Sequence, residues 1–176
     1  GRRDEVKNGQ AWPPGFPECL APGLYGGSGG IDLQGRSAYQ PTPHRYGERW
    51  VLFVGHHAGQ AMNPQTGNVE TNGMSILDVT DPAAPVLLRH EPPTGPEADG
   101  TQHVQVCDGR VLPNADPGRT YLLRTNGQLS QEILDVTDPS RPSFVTTVLT
   151  TGRTEDGRRN THKNWWDCES GIAYLV

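Results

Sequence analysis

Three histidines, His44, His103 and His162, recur at a constant interval of 59 residues. Imidazole is a good ligand for Zn, Cu, Fe or Ni. Three histidines sharing one ion leave a position open for water or dioxygen. Such a set works only in a fold that brings the chain back to one place once per interval. A repeated residue can also be structural, bonding the backbone of a neighbouring unit, and both readings stand at this point.

Other residues offer weaker chemistry. Cys107 lies four residues after His103 and Cys168 six after His162, so on a strand each cysteine shares a face with its histidine. A Cys/His nucleophilic pair could arise that way, although no Asn or Asp is placed by spacing to orient it. Buried thiols or a disulfide are the simpler fate. Cys19, in the Gly/Pro-rich N-terminal stretch, is the expected disulfide partner, tying that stretch down. His56 and His57 follow a strand and point to opposite faces, so at most one of them can join an inner site. His90, at the end of an outer strand, reads as surface. Of Trp165 and Trp166, one should face the core between blades and the other the opposite side. Asp167 and Glu169 lie two apart, but the rest of a glycosidase site is missing.

The elements that must position these residues come from an internal repeat. Ser75–Val86 and Glu132–Ser143 share eight of twelve residues, including Ile-Leu-Asp-Val-Thr-Asp-Pro, and 57 residues separate Ile76 from Ile133. Cys107-Asp-Gly109 resembles Cys168-Glu-Ser-Gly171 at an interval of 61. These markers, with the histidines, give a period near 60. Each unit divides into four strands: one starting at the histidine (Gln102–Cys107; Thr161–Cys168), a second after a hairpin (Arg119–Arg124; Gly171–Val176), the Ile-Leu-Asp-Val strand, and a fourth (Pro85–His90; Phe144–Leu149). Four antiparallel strands per unit is the pattern of a propeller blade. In Asp-Val-Thr-Asp-Pro the Asp and Thr side chains are suited to bond backbone N–H groups, and the prolines fix φ. The motif is therefore expected to make turns; it lacks the glycine and the terminal glutamate of an EF-hand loop.

Leu-Asp-Val-Thr-Asp-Pro-x-x-Pro resembles the signature of the LVIVD-repeat family. The resemblance spans about residues 37–176, and implies an all-β fold, a β-propeller of four-stranded antiparallel blades, in a secreted or periplasmic protein. It implies no single activity. About three blades are expected in 37–176, with the propeller incomplete in this chain and continuing beyond 176. Residues 1–36 are expected to form an irregular Gly/Pro-rich arm. Methanethiol oxidases and selenium-binding proteins, propellers with histidines near the axis, give a fold-level analogy for a metal without a motif-level match.

Composition agrees with short strands between frequent turns. The 176 residues include 22 Gly and 16 Pro, with 33% apolar residues gathered in short runs such as Trp50–Val54 and Tyr121–Leu123. The net charge is -5, and no run of Lys or Arg exceeds two, which argues against nucleic acid as a partner. No apolar run approaches the roughly 18 residues a membrane span needs. Phosphate-binding glycine loops, nucleophile elbows and H-E-x-x-H are absent. Two functions follow as expectations. One is an extracytoplasmic binding or scaffold propeller that holds a partner protein or surface polymer, with the axial histidines as a candidate metal site. The alternative is a propeller metalloenzyme, an oxidoreductase or hydrolase, with Zn, Cu or Fe on His44, His103 and His162.

Overall fold

The computed structural model describes residues 33, 35–95, 99–128, 130–149 and 162–176. The arm expected over 1–36 lies almost wholly outside them, Cys19 with it.

Twelve strands are described: β1 (Tyr39–Tyr46), β2 (Arg49–Gly55), β3 (Gln60–Asn63), β4 (Asn68–Thr71), β5 (Met74–Asp78), β6 (Val86–Glu91), β7 (Val104–Asp108), β8 (Thr120–Asn126), β9 (Ser130–Asp135), β10 (Ser143–Leu149), β11 (Asn164–Asp167) and β12 (Ile172–Leu175). They make two four-stranded antiparallel sheets, β1-β2-β5-β6 and β7-β8-β9-β10, and two hairpins, β3-β4 and β11-β12. Each four-stranded sheet is a meander in chain order, the first interrupted by the inserted β3-β4 hairpin. No closed propeller or barrel is present among the described residues.

The sheets stack face to face. Val51, Phe53, Met74 and Ile76 of the first meet Val104, Leu122, Leu134 and Val136 of the second in one core cluster. Fully burying an aliphatic or aromatic side chain of this size contributes about 1.5–3 kcal/mol. The opposite face of the second sheet packs on β11-β12, where Cys107, Leu123, Leu112 and Trp166 form a second cluster. Alternation along β8 explains the division: Leu122 faces one neighbour and Leu123 the other. The middle sheet is thus covered on both faces, and its dense apolar run follows from that. Trp166 is buried while Trp165 is 61% exposed, as strand alternation requires.

Each repeated Asp-Val-Thr-Asp-Pro segment makes the same set of bonds. Asp78 Oδ1 accepts from the Thr80 N–H at 2.9 Å, and Asp81 Oδ1 from Ala83 at 3.0 Å. In the second copy Asp135 accepts from Thr137 and Asp138 from Ser140, both at 2.9 Å. The threonine hydroxyl then accepts the N–H that opens the second strand of the sheet, Trp50 for Thr80 and Thr120 for Thr137, both at 3.0 Å. Arg49 pairs with Asp78 at 2.9 Å and Arg119 with Asp135 at 2.6 Å. The motif is turn chemistry, as its residue types require.

At Asp78 the Thr80 hydrogen bonds hold the carboxyl below the ordinary aspartate value. At Asp135 burial pushes upward, but Thr137 and Arg119 outweigh it and the net direction is again down. Both carboxylates therefore stabilise the fold above the ordinary aspartate range, and that contribution is lost as pH falls through their lowered native values. Asp135→Ala is expected to cost about 1–2 kcal/mol in urea unfolding. Asp135→Asn should cost clearly less, because an amide oxygen still accepts from Thr137. Equal losses would show that the ion pair, and not the turn, carries the effect.

Candidate functional site

The three first-in-sheet strands lie next to one another. From β1, Thr42 donates its hydroxyl to Val104 O at 2.9 Å, and Tyr46 donates to Val136 O at 2.8 Å. Burial raises the Tyr46 phenol well above its ordinary value, with Asp108, Asp135 and Asp138 adding to the effect. From β7, Cys107 is joined to Cys168 by a disulfide with a Cα–Cα distance of 5.5 Å. This corrects the expectation that Cys19 would pair with one of them: the stacking of β11 on β7 puts Cys168 beside Cys107. At the opening end of these strands, Lys163 Nζ stands 5.9 Å from the centroid of the Tyr39 ring. The first residue of β1 and the residue just ahead of β11 therefore meet, although β7 belongs to the sheet between them.

The histidines divide among different surroundings. His44, on β1, has its Nε2 3.5 Å from Asp108 Oδ1. Burial lowers its proton affinity and Asp108 opposes that, with a net fall. The Nδ1 of His103, just ahead of β7, lies 3.2 Å from Asn164 N and 3.1 Å from Asn164 Oδ1. Burial lowers the His103 value too, with Asn164 partly compensating. His162 is exposed, and its N–H donates to Val176 O.

Sheet register shows that equal spacing does not give the histidines equivalent positions. Phe53 sits opposite Ile76 and Thr42, and Leu123 sits opposite Ile133 and Gln105. Thr42 therefore matches Gln105, and His44 matches Cys107. Thr125 donates to His103 O, while its counterpart Gly55 lies opposite Tyr39. The residue that takes the His103 position in the first sheet is thus Tyr39. No group of three or more His, Cys, Asp or Glu side chains among the described residues is placed to hold one ion.

What gathers at this end is a set of donors and aromatic rings. His103 Nε2 is 3.5 Å from Gln105 Nε2. Asn164 Nδ2 donates to the buried Gln131 Oε1 at 2.7 Å. Lys163 covers Tyr39, and the Tyr39 ring meets His57 edge-on with centroids 4.7 Å apart. Amide groups and an ammonium suit ligands that offer acceptor oxygens. Residue type alone would not have found Tyr39, Lys163, Asn164 or Gln131; only the pairing register identifies them.

Two other histidines lie elsewhere and are fully buried. His56 is 0% exposed and His90 1%, so the surface reading of His90 is corrected: the inserted β3-β4 hairpin covers it. His57, pointing the other way from His56, is exposed. Comparison with known proteins finds no matching family model, no matching curated protein and no matching solved structure.

Proposed function

We propose that the chain is part of a β-propeller that acts as a binding or scaffold module outside the cytoplasm. It would hold a partner protein or surface polymer at the end where β1, β7 and β11 open. The observation that carries this reading is the meeting of Tyr39 and Lys163 across the intervening sheet. First strands of successive units that approach one another in this way are what a shared axis requires. Two successive meanders with identical turn bonds, and the resemblance of Leu-Asp-Val-Thr-Asp-Pro to the LVIVD repeat, support it. The exposed apolar face of Trp165, Ile172, Tyr174 and Val176 is suited to packing against a further blade of the same propeller. The disulfide supports an oxidising, secreted or periplasmic setting. No described helix is long and apolar enough to cross a membrane.

The alternative is a propeller metalloenzyme using Zn, Cu or Fe on His44, His103 and His162. Metal analysis of the purified protein beside the triple His44→Ala, His103→Ala, His162→Ala variant separates the two. The binding reading expects no stoichiometric metal in either protein. A stoichiometric ion in the wild type that is lost from the folded triple variant would overturn it in favour of the enzyme.

A further inference from the structure

The inserted β3-β4 hairpin is held on the first sheet by side chains that reach for backbone atoms. Gln65, in its turn, caps the outer edge of β6: its amide donates to Leu88 O at 3.1 Å and accepts from the His90 N–H at 3.2 Å. His90 Nε2 donates to Thr71 O, at the end of β4, at 3.0 Å. Arg36 donates to Ala61 O at 2.8 Å and Met62 O at 3.1 Å on β3. Asn72 Nδ2 donates to His57 O at 3.0 Å. His56 anchors the segment ahead of β1, donating through Nδ1 to Ser37 O and accepting the Ser75 hydroxyl at Nε2 at 2.8 Å.

Backbone carbonyls take an N–H from each ring, Ser37 O from His56 and Thr71 O from His90. The remaining nitrogen of His90, Nδ1, is buried without a partner. A proton added there has no acceptor, and the His56 ring lies 6.1 Å away between centroids. The charged groups facing the pair are Arg36 ahead of β1, Arg124 on β8 and Glu70 on β4. Two of these three are cations, and Glu70 is already engaged by Asn63 and Thr66.

We propose that His90, with His56 holding the segment from which Arg36 reaches β3, makes the β3-β4 hairpin an acid-released clasp: neutral imidazoles keep it on the first sheet, and their protonation frees it. The inference does not depend on the propeller reading. The direction follows from linkage. Burial puts His56 at about 4 and lowers His90, against an ordinary value of 6.5. The open state therefore binds more protons, and the closed hairpin loses relative stability as pH falls below the ordinary histidine range.

Hydrogen exchange followed by mass spectrometry at about pH 7 and about pH 4.5 reads this directly, with rates corrected for the pH dependence of chemical exchange. Peptides covering 60–72 should lose on the order of ten- to a hundredfold protection at the lower pH, while those covering β8 and β9 keep theirs. His90→Gln can still donate to Thr71 O but cannot take the proton, and it should reduce that loss by about tenfold. Unchanged protection of 60–72, or a loss shared equally with β8 and β9, overturns the clasp. Should His90→Gln fail to fold, the histidine Cε1–H resonances of the wild type decide. Two rings titrating below 6.5 in step with hairpin exchange support the clasp. Rings titrating near 6.5 with the hairpin still protected sink it.

Discussion

Glu132→Gln is expected to cost about 3–5 kcal/mol, a large part of the stability of an ordinary domain. Glu132 and Arg124 are both 0% exposed, and the guanidinium meets the carboxylate at 2.8 Å. Arg124 also donates to Glu91 O at 2.9 Å and Pro92 O at 2.8 Å, the chain leaving β6. The second carboxylate oxygen accepts from the Thr94 N–H at 3.0 Å, the Thr94 hydroxyl, and Asn126 Nδ2 at 3.1 Å. The pair therefore ties the connection after the first sheet to the middle of the second. Removing the carboxylate charge leaves a guanidinium buried without a counter-ion, and turns an amide donor towards it. Many buried ion pairs can be exchanged for apolar residues without loss. Here an Arg124→Met/Glu132→Leu double variant should remain well below wild type, because Glu91 O, Pro92 O and the Thr94 N–H lose their partners. Urea unfolding of the three proteins checks both statements. A loss below about 1 kcal/mol for Glu132→Gln would mean the site admits water, contrary to its full burial.

Removing the disulfide has the second-largest expected effect. Cys107 and Cys168 close a loop spanning 61 residues, for which chain entropy gives a stabilisation of about 4 kcal/mol. The paired Cys107→Ser/Cys168→Ser protein should lose about 2–5 kcal/mol. Its first consequence should be local. The β11-β12 hairpin has only two strands, and a lone hairpin is marginal in water. It depends on the disulfide, the Trp166 cluster and the Asn164 bonds to His103 and Gln131. Trp166 fluorescence should move towards that of an exposed indole at denaturant concentrations where β8 and β9 stay protected from exchange. Reduction that leaves both stability and Trp166 emission unchanged would contradict this.

Local chemistry was readable in the residues, and long-range register was not. Asp78-Val-Thr and Asp135-Val-Thr announce their turns because each carboxylate and hydroxyl bonds a backbone group close by or at the adjoining strand end. The runs Trp50–Val54 and Tyr121–Leu123 announce strands, and the split fate of Trp165 and Trp166 follows from alternation. The equal intervals between His44, His103 and His162 do not carry equal register, because connections of unequal length change the relation between the two. The β3-β4 insertion and the loop between β7 and β8 have no common length, so the position of His103 is matched by Tyr39. His90 ends a strand and so reads as exposed. Its burial depends on Gln65, 25 residues earlier, folding back onto the edge of β6. Three cysteines leave several pairings open, and only the contact of β11 with β7 selects Cys107 with Cys168.

The central claim is that successive sheets meet through their first strands, β1 against β7 and β7 against β11. Nuclear Overhauser contacts in the uniformly labelled protein measure this directly. The account predicts contacts from Thr42 to Val104, from the Tyr46 ring to Val136, and from His103 to Asn164, with none between β6 and β10. Contacts joining β6 to β10, with those from Thr42 and Tyr46 missing, would mean that the sheets associate through their outer strands and share no axis.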